Sequence, residues 1–286
     1  MHSSEAGQAL SGASESMDRV LNAFIRPARR PASDDEARCL SGASRDTLPW
    51  GGQQLAVWRW GAGTPVLLLH GWESRASHMT AFVPALLQAG FGAIALDAPA
   101  HGESTGEFTN VIDYGRAVVG LADRFCIGTP EAPFAGVIAH SVGSAAALYA
   151  YAHGVHTAAS VQLCGPSSLT RVLLGVARAN GLDSAGRALL VQRLESRLGV
   201  PLSSMDLSEL NHGLRHPALV IHDAQDTELH VNESRALVKA WPQATLLLVE
   251  GLGHRRLLRD ARVISRAADF LLAHWTSPIP SANTGR

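Results

Sequence analysis

Seven short runs, GQQLAVWRW, PVLLLH, FGAIALDAP, FAGVIAH, AASVQLCG, PALVIHD and TLLLVEG, punctuate the chain between Gly52 and Gly251. Most are continuously apolar rather than alternating, which is the pattern of strands covered on both faces. Between them, Ser77–Gln88, Asn110–Cys126, Val142–His153, Val231–Trp241 and Asp260–Trp275 carry apolar residues at three- and four-residue spacing, as amphipathic helices do. Strands alternating with helices predict an α/β fold with a mainly parallel, doubly wound sheet. One interval departs from this rhythm. From about Ser167 to Arg215 there is no strand-like run, only the helical patterns Leu169, Val172, Leu173, Val176 and Leu189, Leu190, Leu194, Leu198. This interval, about 167–215, is expected to be a helical insertion between two strands of a body spanning 17–275. Residues 1–16 and 276–286 are rich in Ser, Gly, Ala and Pro and are expected to be poorly ordered.

Composition narrows the function classes. A chain of 286 residues with 46% hydrophobic and 17% charged residues reads as a globular protein with a sizeable core. Its 24 basic and 25 acidic residues nearly cancel, so no bulk attraction to nucleic acid follows. Cys39, Cys126 and Cys164 are odd in number and far apart, which suits neither a disulfide framework nor a zinc site, and all three read as small buried hydrophobes. No secretory signal or membrane span is evident, because the N-terminus lacks an apolar core and the apolar runs are strand-sized; a cytoplasmic location is expected. No Cys-x-x-Cys or clustered acidic loop suggests a metal. Gly61-Ala62-Gly63 precedes a strand and lacks the lysine of a phosphate-binding loop, so no cofactor is expected.

The chemistry concentrates in FAGVIAHSVGSAAALYAYA, Phe134 to Ala152, where a buried-looking strand runs into His140-Ser141-Val142-Gly143 and an alanine-rich helix follows. A serine hydroxyl is a poor nucleophile near neutral pH. It must project into a cleft, within reach of a base, with backbone N–H groups placed for a developing oxyanion. A tight strand-to-helix turn does this, and it requires small neighbours because the residues two before and two after the serine crowd each other. Ala139 and Gly143 occupy those positions, and Ser144 to Ala147 let the helix lie close on the sheet. The competing reading of Ser141 is a simple helix N-cap.

These residues resemble the nucleophile elbow of the α/β-hydrolase family, and the resemblance extends over roughly Gly52 to Trp275. Leu67-Leu68-Leu69-His70-Gly71-Trp72 is similar to the strand end and His-Gly turn that supplies an oxyanion N–H, here from Trp72, the second coming from Val142. Asp97 to Ser104 is similar to the family's Asp-x-Pro-x-His-Gly-x-Ser loop. Ile221 to Val231 resembles the segment carrying the acid, whose motif position is Asp226, and Gly251 to Leu258 the segment carrying the base, His254. The chain order Ser141, Asp226, His254 is that of the family.

The resemblance implies a serine hydrolase acting on a carboxylic ester or thioester with a small to medium acyl group. The 167–215 insertion then serves as a cap. Asp223 and Glu228 compete with Asp226 for the acid's place, Asp223 being better suited to the strand-end turn. His70, Gly71, His101 and His140 are expected to shape the site rather than exchange protons, with His140 facing away from Ser141 by strand alternation while its ring is placed to border the cleft. The arginines of the insertion, Arg171, Arg178, Arg187, Arg193 and Arg197, read as a solvated surface. Two other readings stay open: a non-catalytic ligand- or partner-binding protein on the same fold, and carbon–carbon bond hydrolysis or perhydrolysis on the same triad.

Overall fold

A computed structural model of the chain describes residues 15–124 and 134–275. Eight strands form one sheet in the order β1-β2-β4-β3-β5-β6-β7-β8. They are β1 (Ser44–Trp50), β2 (Gln53–Trp60), β3 (Pro65–Leu69), β4 (Gly92–Leu96), β5 (Gly136–His140), β6 (Ser160–Leu163), β7 (Ala218–Asp223) and β8 (Ala244–Val249). The six strands from β3 onward pair in parallel, whereas β2 joins β4 and β1 joins β2 antiparallel.

Each central strand feeds alternate side chains to two separate cores, as strand geometry dictates. Leu67, Leu69, Val137 and Ala139 pack with α4 (Val111–Arg124), α5 (Val142–Ala152) and α9 (Asn232–Ala240). Val66, Leu68, Ile138 and Val161 pack on the other face with α3 (Val83–Gln88) and α11 (Ala261–His274). The mainly parallel, doubly wound architecture read from the sequence is present.

β1 went unread because SRDTLPW is half exposed and carries a proline, so it lacks the apolar signature. Its pairing is set by the turn Gly51-Gly52, both with positive φ, the conformation a two-residue hairpin requires. The final run is likewise partly exposed, since β8 is the opposite edge.

Between β6 and β7 lie α6 (Leu169–Ala179), α7 (Ser184–Leu198) and α8 (Leu207–Leu210), where the helical insertion was expected. Ser168 caps α6 and Asp183 caps α7. Their apolar faces do not close on each other alone. A helix over residues 15–25 (α1), unforeseen in the sequence, contributes Met17, Val20 and Ile25 to a cluster with Leu173, Leu190 and Leu194. Residues 15–16, expected to be poorly ordered, begin this helix; 1–14 and 276–286 lie outside the described residues. α2 (Asp34–Leu40), closed by a capping box between Ser33 and Glu36, leads into β1.

The cysteine reading needs correction. Cys164 is buried but Cys39 is exposed, because it falls on the outer face of α2; Cys126 lies outside the described residues. Among the described residues, no helix is long and apolar enough to cross a membrane.

Candidate active site

Ser141 joins β5 to α5 with φ 53° and ψ −122°, a backbone region costing on the order of 1–3 kcal/mol for a non-glycine residue. The surroundings impose it. The Ser141 N–H donates to the Leu163 carbonyl of β6 at 2.9 Å, and the Ser144 hydroxyl donates to the Ala139 carbonyl at 3.0 Å. Gly143 packs so closely that a Cβ there would lie 2.5 Å from the His70 carbonyl oxygen and 2.7 Å from that of Leu69. Ala139 is fully buried, so a methyl is accommodated where the family pattern has glycine.

From this turn Ser141 Oγ reaches His254 Nε2 at 2.9 Å, and His254 Nδ1 lies 2.6 Å from Asp226 Oδ2. His254 stands on α10 (Gly253–Arg256), beyond β8, and Asp226 in the loop beyond β7. The other Asp226 oxygen accepts the Glu228 and Leu229 N–H groups at 2.8 and 2.9 Å. Burial pushes the Asp226 carboxyl up, but hydrogen bonds from His222, His254 and the Leu229 N–H outweigh it and hold the group well below the usual range. Asp226 is therefore an anion facing the imidazole.

Asp223 does something different. Its Oδ1 caps the turn at Gln225 N, and its Oδ2 accepts Leu252 N and Gly253 N at 2.5 and 2.9 Å, tying the loop that carries His254 to β7. Glu228 forms a two-bond pair with Arg255, both at 3.0 Å.

The N–H groups of Trp72 and Val142 donate to no acceptor among the described residues, and both residues line the cavity that holds Ser141. His70 Nδ1 lies 2.7 Å from the Gly71 carbonyl, while its Nε2 accepts from Ala98 N at 3.0 Å. The ring is neutral and protonated at Nδ1, since complete burial pushes its pKa well below the ordinary value. His101 accepts the next N–H, that of Glu73, at 3.1 Å, and burial lowers its pKa to about 4. These two histidines hold the loop and do not touch Ser141.

His140 sits beside His254 and borders the cleft. Its ring centroid is 4.8 Å from that of His254, and its Nε2–H donates to the His254 carbonyl at 2.8 Å. Burial, then the neighbouring His254, pushes its pKa down to about 3. His222, unremarked in the sequence because it sits in an apolar strand, backs Asp226: it contacts Ser234 Oγ at 2.7 Å and the Leu229 carbonyl at 2.9 Å, with Asp226 Oδ2 3.4 Å away. Cys164 lies close to both, and burial raises its thiol pKa, so it stays protonated. These donors are occupied with one another and offer no open ligand set.

Two cavities meet at Ser141. One, about 320 Å³, lies under the insertion and is walled by Leu169, Val172, Leu173, Val176 and Leu194, with Phe24 of α1 closing it. The other, about 400 Å³, runs past His140 and His254 along α10. No insertion arginine lines either cavity, and several fasten the insertion. Arg171 pairs with the buried Glu233, which also accepts the Ser167 N–H and hydroxyl; Arg193 faces Asp18; and Arg197 lies over Phe108.

A parallel sheet whose strand ends deliver a strained serine, a histidine and a carboxylate to one cleft defines an α/β-hydrolase fold. The sequence model described as "Alpha/beta hydrolase family" matches residues 66–267, and the chain belongs to that family. No curated protein matches the sequence. The fold is similar to the Pyrococcus furiosus esterase Pf2001, at TM-score 0.64 and 20% identity, covering 88% of this chain and 97% of that one. It is also similar to a Bacillus anthracis bromoperoxidase, at TM-score 0.60 and 16% identity, covering 81% and 99%. An N-acyl homoserine lactone degrading enzyme matches at TM-score 0.59 and 14% identity, covering 77% and 98%.

Proposed function

We propose that this chain is a serine hydrolase that cleaves a carboxylic ester or thioester of small to medium acyl size through an acyl-enzyme. The observation that carries this reading is the continuous contact from Ser141 Oγ through His254 to Asp226, at 2.9 and 2.6 Å, on a strained turn that opens into a cavity.

Ser141 Oγ attacks the carbonyl carbon while His254 Nε2 takes its proton. Asp226, an anion, stabilises the imidazolium and keeps the Nδ1 proton toward itself. The tetrahedral oxyanion accepts the free N–H groups of Trp72 and Val142, with the N-terminus of α5 adding a positive end. Collapse breaks the bond to the leaving group, which takes the proton from His254. A water molecule then repeats the steps on the acyl-enzyme, and the acid leaves. The apolar cavity under the insertion and α1 receives the acyl chain. The esterase and the lactone-degrading enzyme among the structural neighbours agree with a carboxylic ester bond. A protein that only binds would not need the nucleophile, base and acid in mutual contact.

Intact-mass measurement after fluorophosphonate treatment tests the reading. One adduct on the wild type and none on Ser141→Ala is expected; a folded wild type that stays unlabelled would sink it.

A further inference from the structure

The two cavities that meet at Ser141 have opposite characters. Around the cavity under the insertion the walls are leucine and valine, and Glu228 is its one ionic group, already paired to Arg255. The second cavity is lined by Arg30, Arg255, Arg256 and Arg259, against the two carboxylates Glu73 and Glu228. Four guanidinium groups against two carboxylates leave a local excess of positive charge, on a chain whose formal net charge is -1.

The arginines are not all committed. Arg255 is taken by Glu228, and Arg256 donates only to the carbonyls of Gly251 and Leu252. Arg30 and Arg259 are exposed and form no ion pair among the described residues. Guanidinium groups that face a cleft without a carboxylate partner take up phosphate or carboxylate oxygens through two parallel hydrogen bonds from the planar fork, and of the two anions phosphate carries the larger charge, which suits several such groups in one lobe.

The position of this lobe assigns it to one half of the substrate. Arg255, Arg256 and Arg259 follow His254 directly along α10 and the turn after it, so the lobe lies on the side of the base. The atom that receives the His254 proton is the leaving group's oxygen or sulfur. It departs past those arginines, while the acyl chain stays under the insertion, on the α5 side.

We propose that the natural substrate joins an apolar acyl group to a leaving group that carries phosphate, the acyl chain lying under the insertion and the phosphate among Arg30, Arg256 and Arg259. The assignment rests on the hydrolase reading for its direction, but the binding it requires does not depend on turnover. Two sources share this chemistry: a thioester of a nucleotide-type carrier and an ester of glycerol phosphate.

Calorimetric titration of the Ser141→Ala protein with two matched pairs separates them. The pairs are octanoyl-coenzyme A with octanoyl-pantetheine, and 1-octanoylglycerol 3-phosphate with 1-octanoylglycerol. The phosphate-bearing member of one pair is expected to bind at least about tenfold tighter than its neutral partner, and that pair identifies the source. The preference should shrink as salt is raised and be lost on adding Arg30→Ala and Arg259→Ala. Equal affinities within both pairs, or a preference that the double substitution leaves intact, would overturn the assignment. Failure of the hydrolase reading shows separately, as absence of fluorophosphonate labelling on the wild type.

Discussion

His70 Nδ1–H donates to the carbonyl oxygen of Gly71 across 2.7 Å, and in doing so aims the N–H of Trp72. The carbonyl of one residue and the N–H of the next belong to one planar trans peptide and point in opposite directions. Holding the Gly71 oxygen therefore fixes where the Trp72 donor points. A histidine that does not touch Ser141 thus orients the N–H of Trp72, the donor proposed for the oxyanion, through a single peptide plane.

His70→Ala is accordingly expected to lower kcat by about tenfold to a hundredfold on a simple ester, with KM nearly unchanged, since the donor matters most when charge develops. Steady-state kinetics give the split. A change confined to KM would show that the ring only shapes the pocket.

Strain at Ser141 should appear as stored stability. Ser141→Gly removes the side chain from a backbone held at φ 53°, whereas Ser141→Ala keeps a Cβ there. After the entropy cost of glycine, the Gly variant should be about 1 kcal/mol more stable than the Ala variant, with both inactive. Urea denaturation at matched pH makes the comparison, and equal midpoints would remove strain from the account.

Gly143→Ala should fail for a steric reason. Its Cβ would meet two backbone carbonyl oxygens at 2.5 and 2.7 Å, and neither can move without shifting the end of β3. A loss of about 2–3 kcal/mol is expected, with fluorophosphonate labelling slowed because Ser141 and the His70–Trp72 turn are displaced together. Thermal unfolding and labelling rates measured on one preparation would show whether the two losses coincide.

Buried neutral histidines predict an acid-labile fold. Burial lowers the pKa of His140 to about 3 and those of His101 and His216 to about 4, with His70 well below its ordinary value. In the unfolded chain each titrates near about 6.5. Unfolding therefore takes up protons in the window between these values, so stability is full above about pH 6.5 and falls as pH drops toward 4. At pH 5 unfolding should therefore be accompanied by a net uptake of protons at these rings. The pH dependence of the denaturation midpoint measures it, and a flat profile between pH 7 and 5 would contradict the burial of these rings.

Phe24 of α1 closes the apolar cavity. Phe24→Ala should shift the preferred acyl length of 4-nitrophenyl esters upward, raising kcat/KM for decanoate relative to butyrate about threefold or more. An unchanged profile would mean that α1 supports the insertion without shaping its cavity.

What the sequence alone determined is local. Continuous apolar runs name buried strands, small residues around Ser141 name a tight turn, and strand-end motifs name Asp226 and His254, because each signal is written in adjacent residues. The preference for Asp226 over Asp223 came from position in the loop; in the structure Asp226 lies against His254, while Asp223 holds the N–H groups of Leu252 and Gly253. Tertiary structure alone decided the rest. α1 borrows its partners from α6 and α7 more than 140 residues away, and Arg30 lines one cavity with Arg259 from the far part of the chain. Such groupings leave no local trace, since the free energy that assembles them comes from burying surfaces that never adjoin along the sequence.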